Sequence, residues 1–216
     1  MKHDYDPANF SGATFRIADN PIAKIPKQSG AERVGSHYLS MVEVHQFLFD
    51  LEQRRDDLVI SQSLRNLATL CLHTGGQRPY ELANLTWSDV YFDESLIVVP
   101  SEIFKAGREH VVPLTASAIK ILERQKEISG ATRFVFPVKG NPNKAMSTNS
   151  FAHAVSRYCL STDIRKFTPR DLRRTFKTLA GMLGLSKEIR DRVQGHTIAG
   201  VSTKHYDRYS YLQECR

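Results

Sequence analysis

Strong cations occur along the chain at positions where turns and helix starts could bring them together. Arg78 follows a glycine turn, Lys105 lies between two predicted strands, and His196 follows a glycine. Arg170 and Arg173 belong to the run Arg-Asp-Leu-Arg-Arg, which opens a predicted helix. Guanidinium groups offer paired donors to the non-bridging oxygens of a phosphodiester without needing a metal. This set of residue types therefore suits phosphoryl transfer.

Phosphoryl transfer of this kind also needs a nucleophile. Tyr206 lies ten residues after His196, within the run His-Tyr-Asp-Arg-Tyr at 205–209. Tyrosine forms covalent intermediates when neighbouring cations favour its phenolate. Taken singly, each of these residues fits an ordinary structural role, such as a surface arginine, a turn lysine or a half-buried tyrosine. Only their order and spacing together favour a shared function.

The composition bounds the class of protein. The chain has 216 residues, a net charge of +7 and 41% hydrophobic content, which is typical of a soluble globular protein. No stretch approaches the roughly 18 apolar residues of a membrane span, and the polar N-terminus lacks a signal-peptide run, so an intracellular, cytoplasmic protein is predicted. Three cysteines without a CxxC pair indicate neither a disulfide framework nor a zinc site. Zincin, serine-hydrolase and ATP-binding motifs are missing from the sequence, which disfavours those chemistries.

The net positive charge of the chain comes from its last 60 residues. Residues 1–156 carry 17 Lys and Arg against 17 Asp and Glu, whereas residues 157–216 carry 13 against 6. A basic excess of this kind favours binding to a polyanion. Charge alone does not distinguish DNA from RNA or a smaller anion.

The first half of the chain reads as a linker followed by helices. Residues 1–37 are rich in Pro, Gly and Ser and predict a linker or tail. Ser40 is a plausible N-cap for a helix, and a second helix ends at the glycine pair 75–76. A short helix then begins at Pro79.

The middle of the chain changes its hydrophobic period. Two apolar runs at 96–100 and 110–114 predict antiparallel strands, and Thr115 is expected to cap the next helix. Residues 134–137 are predicted to be extended. The glycine, proline and asparagines of 139–145 predict a loop. Further helices are predicted at about 147–160, 169–183, 186–193 and 198–212. The expected fold is mainly α with one small antiparallel β-sheet, an α+β architecture.

Five separated motifs resemble the catalytic domain of the tyrosine recombinase or phage integrase family. They are the box at 74–82 (TGGQRPYEL) with LTWSDV at 85–90, the lysine turn at 105–107, the box at 168–175 (TPRDLRRT), QGHT at 194–197 and KHY at 204–206. The resemblance runs from about Ser40 to the C-terminus. It implies a catalytic domain over 38–216 with the tyrosine recombinase fold, and it makes 1–37 a linker left from a missing N-terminal DNA-clamping domain.

The resemblance implies cleavage and rejoining of DNA without metal, ATP or any other cofactor. Tyr206 would attack a backbone phosphate and form a 3′-phosphotyrosyl link. Arg78 and Arg173 would clamp the non-bridging oxygens, His196 would donate a further hydrogen bond, and Lys105 would protonate the leaving 5′-oxygen. Tyr209 is the alternative nucleophile, and Tyr211 is a weaker one.

One position departs from the family pattern. Where relatives usually have histidine or lysine, this chain has Arg170. Arginine stays protonated and cannot act as a base, so Arg170 is expected to supply charge and hydrogen bonds only. Proton removal from Tyr206 is left to His196 or to a phosphate oxygen. Glu81 is expected to orient Arg78, and Asp171 to be a carboxylate favoured at a helix start.

The implied function is site-specific recombination or integration of a phage or genomic island. The implied partners are double-stranded DNA, further copies of the chain in a homotetramer on DNA, and directionality or host DNA-bending factors, without any membrane. As an isolated domain the chain is expected to be a monomer. Two alternatives remain: a non-catalytic DNA-binding regulator of the same fold, and a type IB topoisomerase-like enzyme.

Overall fold

A computed structural model describes residues 37–54 and 57–196 of the chain. The chain divides into two compact units, 1–36 and 37–216, and all described residues belong to the second. The predicted linker, the predicted helix at 198–212 and the three candidate nucleophiles Tyr206, Tyr209 and Tyr211 lie outside the described residues. No helix within the described residues is long and apolar enough to cross a membrane.

The described part contains helices and short strands in the expected order. The helices are α1 (Met41–Gln53), α2 (Gln62–His73), α3 (Pro79–Ala83), α4 (Ala116–Ser129), α5 (Thr148–Leu160), α6 (Pro169–Met182) and α7 (Lys187–Val193). The strands are β1 (Val90–Tyr91), β2 (Leu96–Val99), β3 (His110–Pro113), β4 (Pro137–Val138) and β5 (Asn141–Ala145).

Side-chain caps account for the helix starts. Ser40 caps α1 and forms a reciprocal capping box with Glu43, as the sequence predicts. Thr115 accepts a hydrogen bond from the backbone of Ala118 and caps α4, which is also as predicted. Helix α2 begins only after its cap at Ser61, so the apolar residues just before it form part of the connection.

The predicted strand pair is confirmed. Strands β2 and β3 are antiparallel, with Leu96 opposite Pro113 and Val99 opposite His110, and β1 extends this sheet to three strands.

The prediction of a loop at 139–145 is wrong, and so is the prediction of a single sheet. Strand β5 pairs with β4 in a second antiparallel sheet, and Gly140 at φ +80° makes the turn between them. The strand was missed because its residues are mostly exposed and carry no apolar alternation.

Helix α2 is the centre of the packing. It contacts α1, α3, α4, α5 and α6, and its residues Leu67, Leu70 and Cys71 are fully buried. Buried Arg65 on the same helix donates hydrogen bonds to the carbonyls of Leu51 and Leu58. The side chain thereby satisfies backbone acceptors where α1 ends and the connection begins.

An aromatic cluster joins α1 to α5. The ring of Phe47 meets those of Tyr158 and Phe167 edge to face, at centroid distances of 5.0 and 5.2 Å. The Tyr158 hydroxyl donates to Asp50 Oδ2 at 2.8 Å. Burial, together with the Asp50 carboxylate, raises the pKa of Tyr158 well above its usual range.

We predict that Tyr158→Phe lowers the free energy of unfolding by about 1–3 kcal/mol, because it leaves the buried Asp50 carboxylate without this donor. Urea denaturation measures the change. Tyr91→Phe, at an exposed site on β1, is the matched control and should change stability little. Equal stability losses in the two variants would contradict the assigned role of the hydrogen bond.

Candidate active site

A two-glycine turn allows α6 to approach the end of α2. Gly75 and Gly76 have φ values of +77° and +72°, a conformation that favours glycine. A Cβ atom on Gly76 would lie 2.7 Å from the Cα of Arg173 and 3.3 Å from the carbonyl oxygen of Leu172. The turn therefore positions the first half of α6 by direct backbone contact.

Arg78 and Lys105 are tied to the same carboxylate. Arg78 is the N-cap residue of α3, and its Nη1 donates to Glu81 Oε1 at 2.7 Å. The backbone N–H of Lys105 donates to that same oxygen at 3.2 Å. Glu81 is fully buried, so it orients Arg78 as the sequence predicted. The side chain of Lys105 is exposed.

Arg173 connects helix α6 to two other segments of the chain. Its Nη1 donates to the carbonyl of Gly76 at 3.0 Å, and its Nη2 donates to the carbonyl of Gln194. Nη2 also lies 3.0 Å from Nε2 of His196. Burial, and secondarily the charge of Arg78, lowers the pKa of Arg173 to about 10, so the guanidinium remains charged at neutral pH.

Two buried glutamines hold this arrangement, and sequence reasoning missed both. Gln77 Nε2 donates to the carbonyls of Thr74 and Val193, and Gln194 Nε2 donates to those of Gly75 and Arg173. Together they join the glycine turn, α6 and the end of α7. The available signal was a glutamine beside the glycine of each box, in TGGQR and QGH.

His196 lies in a network with an acid that the sequence did not single out. Its Nδ1 lies 3.0 Å from Asp191 Oδ1, and its backbone N–H donates to the Asp191 carbonyl at 2.8 Å. Lys177 and Lys187 also donate to the Asp191 carboxylate. Burial alone would raise the pKa of Asp191, but the hydrogen bonds from His196, Lys177 and Lys187 hold it well below its usual range.

An aromatic pair supports the arginines from the strand side. The rings of Phe104 and His110 stack at 4.7 Å, and the guanidinium carbons of Arg78 and Arg108 lie 5.7 and 5.4 Å from the centre of the Phe104 ring. Both contacts are in the range of cation–π attraction. Arg108 Nη2 also donates to the carbonyl of Gly195 at 3.4 Å. Arg108 was not among the predicted site residues.

Arg170 is set apart from these contacts. It lies in the first turn of α6, is exposed, and makes no hydrogen bond or ion pair with the described residues. Asp171 beside it forms the capping box of α6 with Thr168 and pairs with Arg174, which confirms its predicted place at the helix start.

The structure thus brings Arg78, Arg173 and His196 together, with the backbone of Lys105 anchored beside Arg78. Tyr206 lies outside the described residues. Among residues 37–54 and 57–196, no group of three His, Cys, Asp or Glu side chains could hold a metal ion.

Comparison with known proteins identifies the family. The sequence profile of the phage integrase family matches residues 41–206, which is most of the chain. The chain belongs to the phage integrase family. This match includes every predicted site residue from Arg78 to Tyr206.

Two similar proteins are prophage integrases of Escherichia coli strain K12. Prophage integrase IntA is 29% identical over 139 residues, which cover 64% of this chain and 33% of IntA. Prophage integrase IntZ is 30% identical over 149 residues, which cover 68% of this chain and 35% of IntZ. The chain therefore spans about a third of the length of these relatives.

The fold is that of tyrosine recombinase catalytic domains. The Tn1549 transposon integrase, solved in complex with transposon right end DNA, superposes with a TM-score of 0.64 and 17% identity. The superposition covers 91% of this chain and 69% of that one. The expected fold class is confirmed for this phage integrase family member, apart from the second small sheet.

We predict that Gly76→Ala lowers the free energy of unfolding by at least about 2 kcal/mol, because the new Cβ combines left-handed strain with overlap against α6. Gly140→Ala is the matched control: its φ is +80°, but nothing lies within 4 Å of the added carbon. This control should cost only about 1 kcal/mol. Chemical denaturation of both variants measures the difference, and a Gly76→Ala cost no larger than the control's would refute the close approach.

We also predict that part of the stability depends on keeping His110 neutral. Burial lowers its pKa to about 4, and the charges of Arg108, Arg173 and Arg78 add to this effect, against the hydrogen bond from His110 Nε2 to the Val193 carbonyl. Because the folded pKa is below the unfolded value near 6.5, the stability is complete above pH 6.5 and is lost as the pH falls towards 4.

The stabilisation lost over this range is on the order of 3 kcal/mol. Denaturation of the wild type and His110→Phe from pH 7 to pH 4 measures it: the free energy of unfolding of the wild type, minus that of the variant, should fall as the pH falls. The same substitution at exposed His153 controls for the loss of a histidine in general. A difference that is constant over this pH range would count against the prediction.

Proposed function

We propose that this domain breaks and rejoins DNA strands in site-specific recombination, as part of the integrase of a prophage or genomic island. The observation that carries the proposal is the meeting of Arg78 and Arg173. They are far apart in the sequence, yet Arg173 Nη1 donates to the carbonyl of Gly76, two residues before Arg78. Two guanidinium groups at one turn can form a site for a doubly contacted anion such as a phosphodiester.

The surrounding charges support an anion as the ligand. Arg78 and Arg108 lie over the Phe104 ring, which stacks on His110, and Arg173 binds the adjacent glycine turn. Two buried carboxylates, Glu81 and Asp191, are hydrogen-bonded to Arg78 and His196 of this site. A backbone phosphate would add a negative charge beside the three arginines.

In the proposed reaction, the Tyr206 oxygen attacks the phosphorus and the bond from phosphorus to the 5′-oxygen breaks. Arg78 and Arg173 stabilise the charge that develops on the non-bridging oxygens. Lys105 donates a proton to the leaving 5′-oxygen; its exposed side chain can reach towards DNA while its backbone is anchored to Glu81. Arg170 contributes charge from the first turn of α6.

The phosphotyrosyl link preserves the energy of the broken phosphodiester. A 5′-hydroxyl from another strand can therefore attack it, release Tyr206 and rejoin the DNA, with no metal, ATP or other cofactor consumed. The proposed roles of Tyr206 and Lys105 follow from the family resemblance. The clamp of Arg78 and Arg173 is supported by the contacts of the described residues.

The partners of the complete protein are part of the same proposal. The solved transposon integrase is described in complex with DNA, and double-stranded DNA fits the basic site of this chain. We propose a homotetramer on DNA, a monomer in its absence, and accessory directionality or DNA-bending factors. Because phosphate contacts dominate binding of this kind, DNA binding by the 216-residue chain should depend strongly on salt.

We predict that the chain forms a covalent adduct with a nicked DNA substrate that traps the cleaved state, and that Tyr206→Phe abolishes the adduct. Tyr209→Phe, three residues further on, is the matched control and should retain it. The adduct is detected as a shifted band on a denaturing gel. The nicked DNA substrate carries the end sequences of the mobile element in which the gene for this chain is found.

Three outcomes would lead to other conclusions. An adduct lost in Tyr209→Phe but kept in Tyr206→Phe would identify Tyr209 as the nucleophile in place of Tyr206. Relaxation of supercoiled plasmid without recombinant product would indicate a topoisomerase-like enzyme. DNA binding without any adduct, in this chain and in a longer protein that includes it, would indicate a non-catalytic regulator and overturn the proposed function.

A further inference from the structure

The turn that carries Lys105 is exposed along its whole length. Residues 105–109 are all exposed, and the chain enters and leaves them through two buried aromatic residues, Phe104 and His110. The backbone N–H of Lys105 donates to Glu81 Oε1 at 3.2 Å. One bond at one end cannot set the direction of five exposed residues. The orientation of the turn therefore also depends on the two residues at its base.

These two residues, the ring pair, close the base of the turn by stacking on each other. The centroids of the Phe104 and His110 rings lie 4.7 Å apart, and the ring planes differ by 26°. Phe104 belongs to the hydrophobic core, and His110 is the first residue of β3. The ring pair therefore attaches the turn both to the core and to the three-stranded sheet.

The ring pair also lies against the segment that leads to His196. A Cβ atom on Gly195, which has φ +63°, would lie 2.4 Å from Phe104 Cζ and 3.1 Å from His110 Cε1. His110 Nε2 donates to the carbonyl of Val193 at 3.1 Å, because a carbonyl oxygen can only accept. Ring contact and hydrogen bond together join the exposed turn to the segment after α7.

The anchors of the turn are the groups that hold the two arginines. Arg173 Nη2 donates to the carbonyl of Gln194, which lies in the segment that the ring pair contacts. Arg78 Nη1 donates to Glu81 Oε1, the same oxygen that accepts the Lys105 N–H. The position of the lysine turn is therefore tied to both guanidinium groups of the site.

Resting on the proposed function, we propose that Phe104 and His110 are positioning residues, which hold the Lys105 ammonium where it protonates the leaving 5′-oxygen. As the bond from phosphorus to that oxygen breaks, the oxygen keeps the bonding electron pair and takes a proton from Lys105 Nζ, which becomes a neutral amine. In rejoining, the amine takes the proton back from the attacking 5′-hydroxyl. A general acid contributes about 10²–10⁴-fold, and a misplacement of about 1 Å can cost about 10²-fold.

The test compares single-turnover cleavage of two nicked substrates by the full 216-residue chain. One substrate has the ordinary bridging 5′-oxygen at the cleavage site, and in the other a sulfur atom replaces that oxygen. A thiol has a pKa of about 8.5, so the sulfur leaves as a thiolate without needing a proton. A defect in proton donation slows cleavage of the oxygen substrate alone, whereas a defect in folding or in DNA binding slows cleavage of both.

The variant Lys105→Ala sets the scale. It should lose about 10²–10⁴-fold on the oxygen substrate and little on the sulfur substrate. His110→Ala, which removes the stacked ring and the bond to Val193, should lose about 10–100-fold on the oxygen substrate and less than about threefold on the sulfur substrate. Added to Lys105→Ala, it should cause no further loss on the oxygen substrate, because both changes remove the same proton transfer.

Further variants separate positioning from folding. Phe104→Leu keeps most of the apolar volume but removes the stack, and it should show the same selective loss even if His110→Ala does not fold. His110→Gln keeps a donor for the Val193 carbonyl and should recover part of the rate on the oxygen substrate. The matched control is His153→Ala at an exposed position of α5, which should leave the ratio of the two rates at its wild-type value.

The outcomes distinguish this inference from the proposed function. If the wild type forms the adduct and Lys105→Ala is selectively slow on the oxygen substrate, unchanged rates in the ring-pair variants would overturn the inference alone. Equal losses on both substrates, or a loss of folding in both variants, would assign the ring pair to the fold and overturn it as well. No selective loss in Lys105→Ala would remove the lysine from its role and the inference with it. No adduct from the wild type on either substrate, in this chain and in a longer protein that includes it, would refute both proposals.

Discussion

Arg173 is held by acceptors from two separate segments: the carbonyl of Gly76 on one side, and the carbonyl of Gln194 with Nε2 of His196 on the other. These bonds join the turn after α2 to the segment after α7 through one side chain of α6. This arrangement requires a glycine at position 76, because a side chain there would overlap the backbone of α6. The guanidinium keeps its charge despite burial, and the rest of the site is arranged around it.

The positive charges of Arg78 and Arg173 lie close to each other, which costs free energy of folding. Burial lowers the pKa of Arg173, and the like charge of Arg78 lowers it further. Glu81 and Asp191 reduce this repulsion, and each is placed by hydrogen bonds so that it also orients a neighbouring group. Under the proposed function such a site is preorganised: it holds its donors before the anion arrives, so little reorganisation would be needed during the reaction. Phosphate binding would then relieve the remaining repulsion and stabilise the fold.

Local signals predicted the framework well and long-range contacts poorly. The caps at Ser40 and Thr115 and the antiparallel pairing of β2 with β3 depend on residues near in sequence, and they were confirmed. The β5 strand was missed because exposed residues leave no apolar pattern. Gln77 and Asp191 were missed for another reason: a buried amide or acid has no sequence signature apart from the partners that it meets. Gln77 bonds to a carbonyl 116 residues away.

The sequence by itself determined the family, the order of the boxes and the identity of the cations, since these depend on residue type and spacing. Only the tertiary structure decided how those residues are oriented. Arg78, Arg173 and His196 come from three segments, and their distances follow from how α3, α6 and α7 pack around the glycine turn. His196 is the clearest case, because packing decides that Asp191 faces Nδ1 and Arg173 faces Nε2. No pattern along the chain encodes these contacts.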